Sequence, residues 1–205
     1  MTYNKRSNKK GEDTVKKESL LQIFSHMPQL ETKRLLLRQM RAADAADMFE
    51  YARLPEVTRY LLWNPHPDVQ YTRRYLEYLG PRYRAGLCYE WAVILKENGK
   101  MIGTCGFPSI NVAHRSAEIG YVLNPAYRGQ EIAPEAVRRV LEFGFHTLSL
   151  HRIEARYMLG NDASRRVMEK VGMTFEGISR DSMLVKGVFR DIGTCAILKN
   201  ELKDE

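Results

Sequence analysis

The spacing of apolar residues changes several times along the chain, and each change marks a different element. From Met1 to about Lys17 the residues are almost all polar, with Asn, Lys, Ser, Gly and Glu dominating. This composition predicts a flexible basic extension over residues 1–28, ahead of a single domain over 29–205. Leu20, Leu21, Ile23 and Phe24 interrupt the extension with a small apolar cluster that ends at Pro28; a short helix or extended arm packed on the domain is expected there. Lys33–Met40 reads as a first strand. Ala45, Met48, Phe49 and Ala52 recur at helical spacing within Asp44–Leu54, and Pro55 closes that helix. Asp68 is placed to cap a second helix carrying Val69, Tyr71, Tyr75, Leu76 and Leu79, whose end Gly80-Pro81 should disturb.

Period-two patterns follow. Tyr89–Lys96 and Lys100–Ile110 are strands joined by Glu97-Asn98-Gly99-Lys100, where Asn-Gly suggests a type I′ hairpin turn. Arg115–Leu123 is a third strand, and Pro125 ends it. Glu131–Thr147 places Ala133, Ala136, Val137, Val140, Leu141 and Phe145 on one helical stripe. His151–Tyr157 is a strand, and Asp162–Val171 a helix with Gly172 as its C′ residue. Thr174–Lys186 and Val188–Leu198 form a last hairpin around Gly187. The order is β-α-α-β-β-β-α-β-α-β-β: an α/β (α+β) domain with a mixed, mostly antiparallel twisted sheet of about seven strands flanked by about four helices.

Composition narrows the chemistry. Cys88, Cys105 and Cys195 are odd in number, widely spaced and set in apolar runs, so buried thiols in a reducing compartment are expected rather than disulfides or a zinc site. His26, His66, His114, His146 and His151 show no metal-ligand spacing. No apolar run approaches the roughly 20 residues that span a bilayer, and Leu20–Phe24 is too short for a signal-peptide core; a cytoplasmic protein is expected. The formal net charge of +7 suits an anionic partner such as RNA, a ribosome or a phosphorylated cofactor, without selecting among them. The Tyr- and Arg-rich segment Tyr71–Arg84 either lines an acceptor pocket, contacts RNA or is a solvated helix face.

Asn124–Glu135 links a strand to the long helix. The first N–H groups of a helix lack internal partners and, with the helix dipole, favour an anion. Gly129 allows close backbone approach, Arg128 adds positive charge, and Pro134 is tolerated in the first turn. The segment lacks the spacing of a nucleotide P-loop.

The run Arg128-Gly129-Gln130-Glu131-Ile132-Ala133 resembles the cofactor loop of the GNAT superfamily of N-acetyltransferases, Arg/Gln-x-x-Gly-x-Gly/Ala. Ala117–Leu123, His151–Arg156, Asn161–Gly172 and the opening Leu30–Arg38 resemble the RimJ/RimL-type ribosomal-protein acetyltransferases within it. The resemblance covers about Leu30 to Leu198 and implies acetyl-CoA as co-substrate, no metal, and a monomer or homodimer. It also implies that pantetheine lies between the strands Glu118–Leu123 and His151–Tyr157, near the backbone of Tyr121 and Val122. Asn161 would then hydrogen-bond pantetheine, and Ser164 would protonate the leaving thiolate, with Tyr157 an alternative donor. Where the family usually has Gly, this chain has Glu131. A carboxylate ~6 Å from a pyrophosphate costs roughly 1–3 kcal/mol per charge pair at an effective dielectric of ~20–40, so weakened affinity or a turned-away side chain is expected.

Acetyl transfer needs a base for the amine and an acid for the thiolate. Glu118, on a central strand beside the presumed amine, is the first candidate base; Glu90, opening a neighbouring strand, is the second. The acceptor implied by the resemblance is a protein N-terminal amine of the ribosomal-protein type. A small amine such as a polyamine, amino acid or antibiotic would favour a closed acidic pocket, and a peptide an open groove. A non-catalytic acyl-CoA or RNA binding module is a third reading.

Overall fold

A computed structural model describes residues 17–203. The rest of the polar run, residues 1–16, lies outside the described residues. Lys17–Ser25 forms α1, and its Leu20 and Phe24, one helical turn apart, are buried in the main core. The apolar cluster inside the expected extension therefore packs with the domain.

The predicted first strand is two: β1 (Leu30–Glu31) and β2 (Leu35–Arg38). Between them Thr32 N–H donates to the Leu35 carbonyl, and Leu35 N–H donates to Thr32 Oγ1. That tight turn ends β1 early. Next come α2 (Ala45–Ala52), a single turn α3 (Pro55–Thr58) and α4 (Val69–Arg84). Asp68 caps α4, accepting from Tyr71 N–H at 2.6 Å. Gly80-Pro81 does not end the helix: Pro81 lies inside it. The stop is Gly86, at φ +68, where Gly86 N–H bonds the Tyr83 carbonyl and Leu87 N–H the Arg82 carbonyl, a Schellman motif.

β3 (Glu90–Leu95), β4 (Lys100–Asn111) and β5 (Ser116–Leu123) form an antiparallel meander. The β3–β4 turn is not type I′. Leu95 pairs with Lys100 across a four-residue loop in which Gly99, but not Asn98, has positive φ. A type I′ turn occurs instead at Lys186-Gly187, where both φ values are positive (52° and 80°) between paired Val185 and Val188. α5 (Ile132–Glu142) continues as a wider π turn over Phe143–Thr147, and this crossover leads to β6 (Arg152–Met158). α6 (Asp162–Lys170) ends in a second Schellman motif at Gly172, as expected. β7 (Thr174–Val185) and β8 (Val188–Leu198) complete the chain.

The eight strands lie in one sheet, in the order β1-β2-β3-β4-β5-β6-β8-β7, and only β5 and β6 are parallel. The sheet has a core on each face. On β3, Trp91 and Val93 join one core and Ala92 and Ile94 the other, as period-two alternation requires. The first core holds α1 and α5, with Phe24, Trp91 and Phe143 in edge-to-face contact. The second packs α2 and α4 through Met48, Tyr51, Leu76 and Tyr83. The three cysteines are buried thiols. Among the described residues no helix is long and apolar enough to cross a membrane.

Candidate active site

The parallel pairing of β5 with β6 is brief. Ser116, Ala117 and Glu118 pair with Arg152, Ile153 and Glu154, and then the strands part. β6 continues with β8 as far as Met158, and β5 with β4 as far as Leu123. The gap leaves one edge of each strand without a strand partner, and two clefts open from it. One, of about 360 Å³, runs toward the start of α5; the other, of about 350 Å³, lies on the opposite side. Tyr121, Val122, Asn161 and Ser164 line both, with Tyr60 and Leu61 from the segment after α3.

The first cleft is walled by Arg128, Gly129, Glu131, Ile132 and Ala133. Gly129 (φ +74) and Glu131 (φ +60) both take the left-handed conformation, so the chain turns sharply into the helix. Among the described residues, the N–H groups of Gly129, Gln130, Glu131, Ile132 and Ala133 have no hydrogen-bond acceptor. Pro134 carries no N–H at all. This run of donors, at the positive end of a helix dipole and with open space over Gly129, fits an anion. The loop is braced from behind by a clamp. Arg34 donates to the Gln130 carbonyl at 2.8 Å and to Glu135 at 2.6 Å, and Thr32 donates to the same carboxylate at 2.5 Å. Burial alone would raise the Glu135 carboxyl, but the Thr32 and Arg34 hydrogen bonds and the Arg34 charge outweigh it and hold it below the usual carboxylate value.

Glu131 does not point unpaired into this cleft. Its carboxylate is ion-paired with Lys170 at the end of α6. Gln130 instead hydrogen-bonds back to the Ala126 carbonyl, and Arg128 is 4.0 Å from Glu56.

At the junction, Asn161 caps α6 by accepting from Ser164 N–H at 3.3 Å. Tyr121 Oη lies 2.8 Å from the Ser164 carbonyl and 3.0 Å from Ser164 Oγ. Burial pushes the Tyr121 phenol well above its ordinary value, so it stays protonated.

The second cleft carries Glu90, Glu118 and Arg156 among apolar walls that include Trp63, Met158 and Met183. Glu118 is ion-paired with Arg156. Glu90 has no cationic partner among the described residues, and burial raises its carboxyl above the usual value. Tyr157 also lines this side, its ring held against Gly193 so closely that a Cβ there would come within 2.4 Å.

A family model for an acetyltransferase (GNAT) domain matches residues 34–174. The chain belongs to the GNAT acetyltransferase family. It is 35% identical to the uncharacterized N-acetyltransferase p20 of Bacillus licheniformis over 175 residues, 85% of this chain and 98% of that one. It is 24% identical to the [ribosomal protein uS5]-alanine N-acetyltransferase of Escherichia coli, over 79% of this chain and 86% of that one. The crystal structure of a GNAT-family acetyltransferase from Bacillus anthracis superposes with a TM-score of 0.76 at 30% identity, covering 85% of this chain and all of that one.

As a GNAT N-acetyltransferase the chain has its predicted site residues in one region. Tyr121, Val122, Arg128, Gly129, Glu131, Ile132, Ala133 and Asn161 line the first cleft, and Ser164 and Tyr121 join it to the second, where Glu118 and Glu90 stand. The five free N–H groups offer an anion a place to bind. Gln130 is the predicted residue that does not line either cleft. Sequence reasoning missed the Arg34–Glu135 clamp, Lys170, Arg156, the side chain of Tyr121 and the wall formed by Tyr60 and Leu61. The clamp joins residues 101 apart and leaves no local signature.

Proposed function

We propose that this enzyme acetylates the N-terminal amine of a polypeptide from acetyl-CoA, as a RimJ/RimL-type acetyltransferase acting on a ribosomal protein. The carrying observation is the second cleft: it is open, apolar-walled and mixed in charge, with Glu118 already offset by Arg156. A polyamine would favour several unpaired acids, whereas a peptide brings one amine together with amide carbonyls and side chains that can use Arg156 and the apolar wall. The similarity to an enzyme named for ribosomal protein uS5 supports the same reading.

Bound acetyl-CoA supplies an activated acyl thioester. The backbone N–H groups from Gly129 to Ala133 hold its phosphates, and the open edge of β5 at Tyr121 and Val122, with Asn161, holds its arm. Glu90 takes a proton from the acceptor ammonium, directly or through water, because its raised carboxyl is a stronger base than a paired one. Glu118, held by Arg156, orients the acceptor. As the C–N bond forms and the C–S bond breaks, Ser164 Oγ, held 3.0 Å from Tyr121 Oη, donates a proton toward the sulfur and regains one from solvent, to which the new amide nitrogen releases its remaining excess proton.

The test is acetyl-CoA consumption over peptides with varied N-termini and a panel of polyamines, amino acids and aminoglycosides. Peptides should be acetylated on the α-amine with the higher kcat/KM. Preferential turnover of a small amine would overturn the peptide reading and leave the acetyltransferase chemistry intact.

A further inference from the structure

The surface of α4 gathers four arginines that no carboxylate holds. Elsewhere arginines repeatedly meet carboxylates: Arg34 with Glu135, Arg38 with Asp44, Arg152 with Glu176, Arg165 with Glu169. On α4, Arg73, Arg74, Arg82 and Arg84 are all exposed, and among the described residues none of them has an acidic partner. Glu77 is the lone acid on that face. Four guanidinium groups without a carboxylate on one helix favour an external anion over an internal one.

The aromatic residues give this charge a pattern. Tyr71, Arg74, Tyr78 and Arg82 follow one another at steps of three and four, so they lie on one stripe, about 16 Å long at 1.5 Å per residue. Tyr71 is 45% exposed and Tyr78 61%. Arg82 lies over the Tyr78 ring at 5.7 Å, which sets that ring in place. Tyr71 is steadied by a T-shaped contact with His66, ring centroids 4.8 Å apart, and His66 is itself held by Thr72 at 2.8 Å. Thr72, Leu76, Leu79 and Tyr83 bury the opposite face, so the helix cannot roll to hide the stripe. An exposed ladder that alternates π faces with guanidinium groups matches a strand that alternates bases with phosphates.

We infer that the Tyr71–Arg74–Tyr78–Arg82 stripe is a docking surface for single-stranded RNA. Unstacked bases are the ordinary condition of RNA loops, and aromatic side chains and arginine planes are what such bases stack on. A duplex offers its phosphates to the arginines but no free base to the tyrosines. The stripe begins just beyond Trp63, which lines the second cleft, so a strand bound there lies beside the acceptor entrance. The surface does not depend on which amine the enzyme acetylates.

The test is binding of a fluorescent single-stranded oligouridylate to the full chain over a salt series, with duplex RNA of equal length as comparator. The single strand should bind the more tightly. Tyr78→Ala should weaken it about tenfold, within the range of one lost stack. Arg74→Gln with Arg82→Gln should lower the slope of log affinity against log salt by about 1.4, at ~0.7 per lost phosphate contact. Turnover of a short peptide should be unchanged in both variants, which shows them folded. The inference fails if the oligouridylate does not bind, or if duplex and single strand bind equally. It also fails if the variants bind like the parent, which would hand the polyanion to the basic run Lys5–Lys17 instead.

Discussion

The two clefts that meet at Tyr121 and Ser164, which we propose hold donor and acceptor respectively, are built from different materials. The donor side presents backbone: five unpartnered N–H groups, two left-handed residues and a helix end. The acceptor side presents side chains drawn from β3, β5, β6 and the segment after α3, with Glu90, Glu118, Arg156 and Trp63 among them. Backbone donors at a helix start bind any phosphate in much the same way, whatever the side chains do. A wall of side chains from distant elements can change residue by residue without disturbing the fold. One family scaffold can therefore keep its donor while its acceptor varies.

The sharpest way to break this contrast is Glu90→Gln. If Glu90 is the base, kcat/KM should fall by roughly 10²–10⁴, while the dissociation constant for acetyl-CoA stays where it was. The pH profile adds a sign. The base must be deprotonated, and burial raises Glu90, so the parent's rate should climb with pH through a value above the ordinary glutamate range. In the glutamine variant that limb should vanish. A limb that persists there and disappears in Glu118→Gln would move the base to Glu118.

Gly193→Ala attacks the acceptor side through packing. A methyl group there meets the Tyr157 ring at 2.4 Å, so the ring must move. Overpacking of this kind costs about 1–3 kcal/mol of stability. Tyr157 lines the acceptor cleft and not the donor cleft, so KM for the peptide should rise and that for acetyl-CoA should not. Denaturant melts and initial rates against each substrate separate the two effects; an equal rise in both KM values would show that the clefts do not act independently.

The contrast also explains what could be read in advance. The loop Arg128–Ala133 and the Gly172 stop are local events, each set by residues a few positions apart, and the sequence carries their chemistry openly. So is the helical stripe of α5. The β3–β4 turn was misread because Asn98-Gly99 is only a preference, and a four-residue loop between Leu95 and Lys100 needs one left-handed residue rather than two. Pro81 was misread because removing one hydrogen bond does not stop a helix whose Leu79 and Tyr83 are buried on either side. Arg34 with Glu135, Arg156 with Glu118 and Lys170 with Glu131 are contacts between residues 101, 38 and 39 apart, which no local spacing announces.

On the donor side, Glu135→Gln should loosen the clamp beneath the loop. A charge-assisted hydrogen bond of this kind contributes about 1.5–3 kcal/mol, here toward the lower figure because Arg34 is partly exposed. KM for acetyl-CoA should rise several-fold with the peptide KM unchanged. Because the Glu135 carboxyl is held below its unfolded value, its contribution is complete above about pH 4.5 and is lost as pH falls through the folded value. The parent should therefore lose stability on acidification more steeply than the variant, by urea melts at pH 7 and below 4.5. Parallel losses would place the carboxylate outside the clamp.

The smallest effect is expected at Glu131, where two costs sit on one residue. Its left-handed φ strains a side chain by about 1 kcal/mol, and its carboxylate occupies Lys170, a cation that lines the donor cleft. Glu131→Gly removes both, while Glu131→Gln removes the charge alone. If Lys170 is wanted by the cofactor's phosphates, both variants should bind acetyl-CoA a few-fold tighter, and only the glycine should also gain stability, by less than about 1 kcal/mol after the entropy of the freer unfolded chain is set against it. Adding Lys170→Met should erase the gain in affinity and leave the gain in stability. If Glu131→Gln binds no better than the parent, the ion pair is not a competitor for the phosphates, and the glycine usual at this position in the family serves the backbone turn alone.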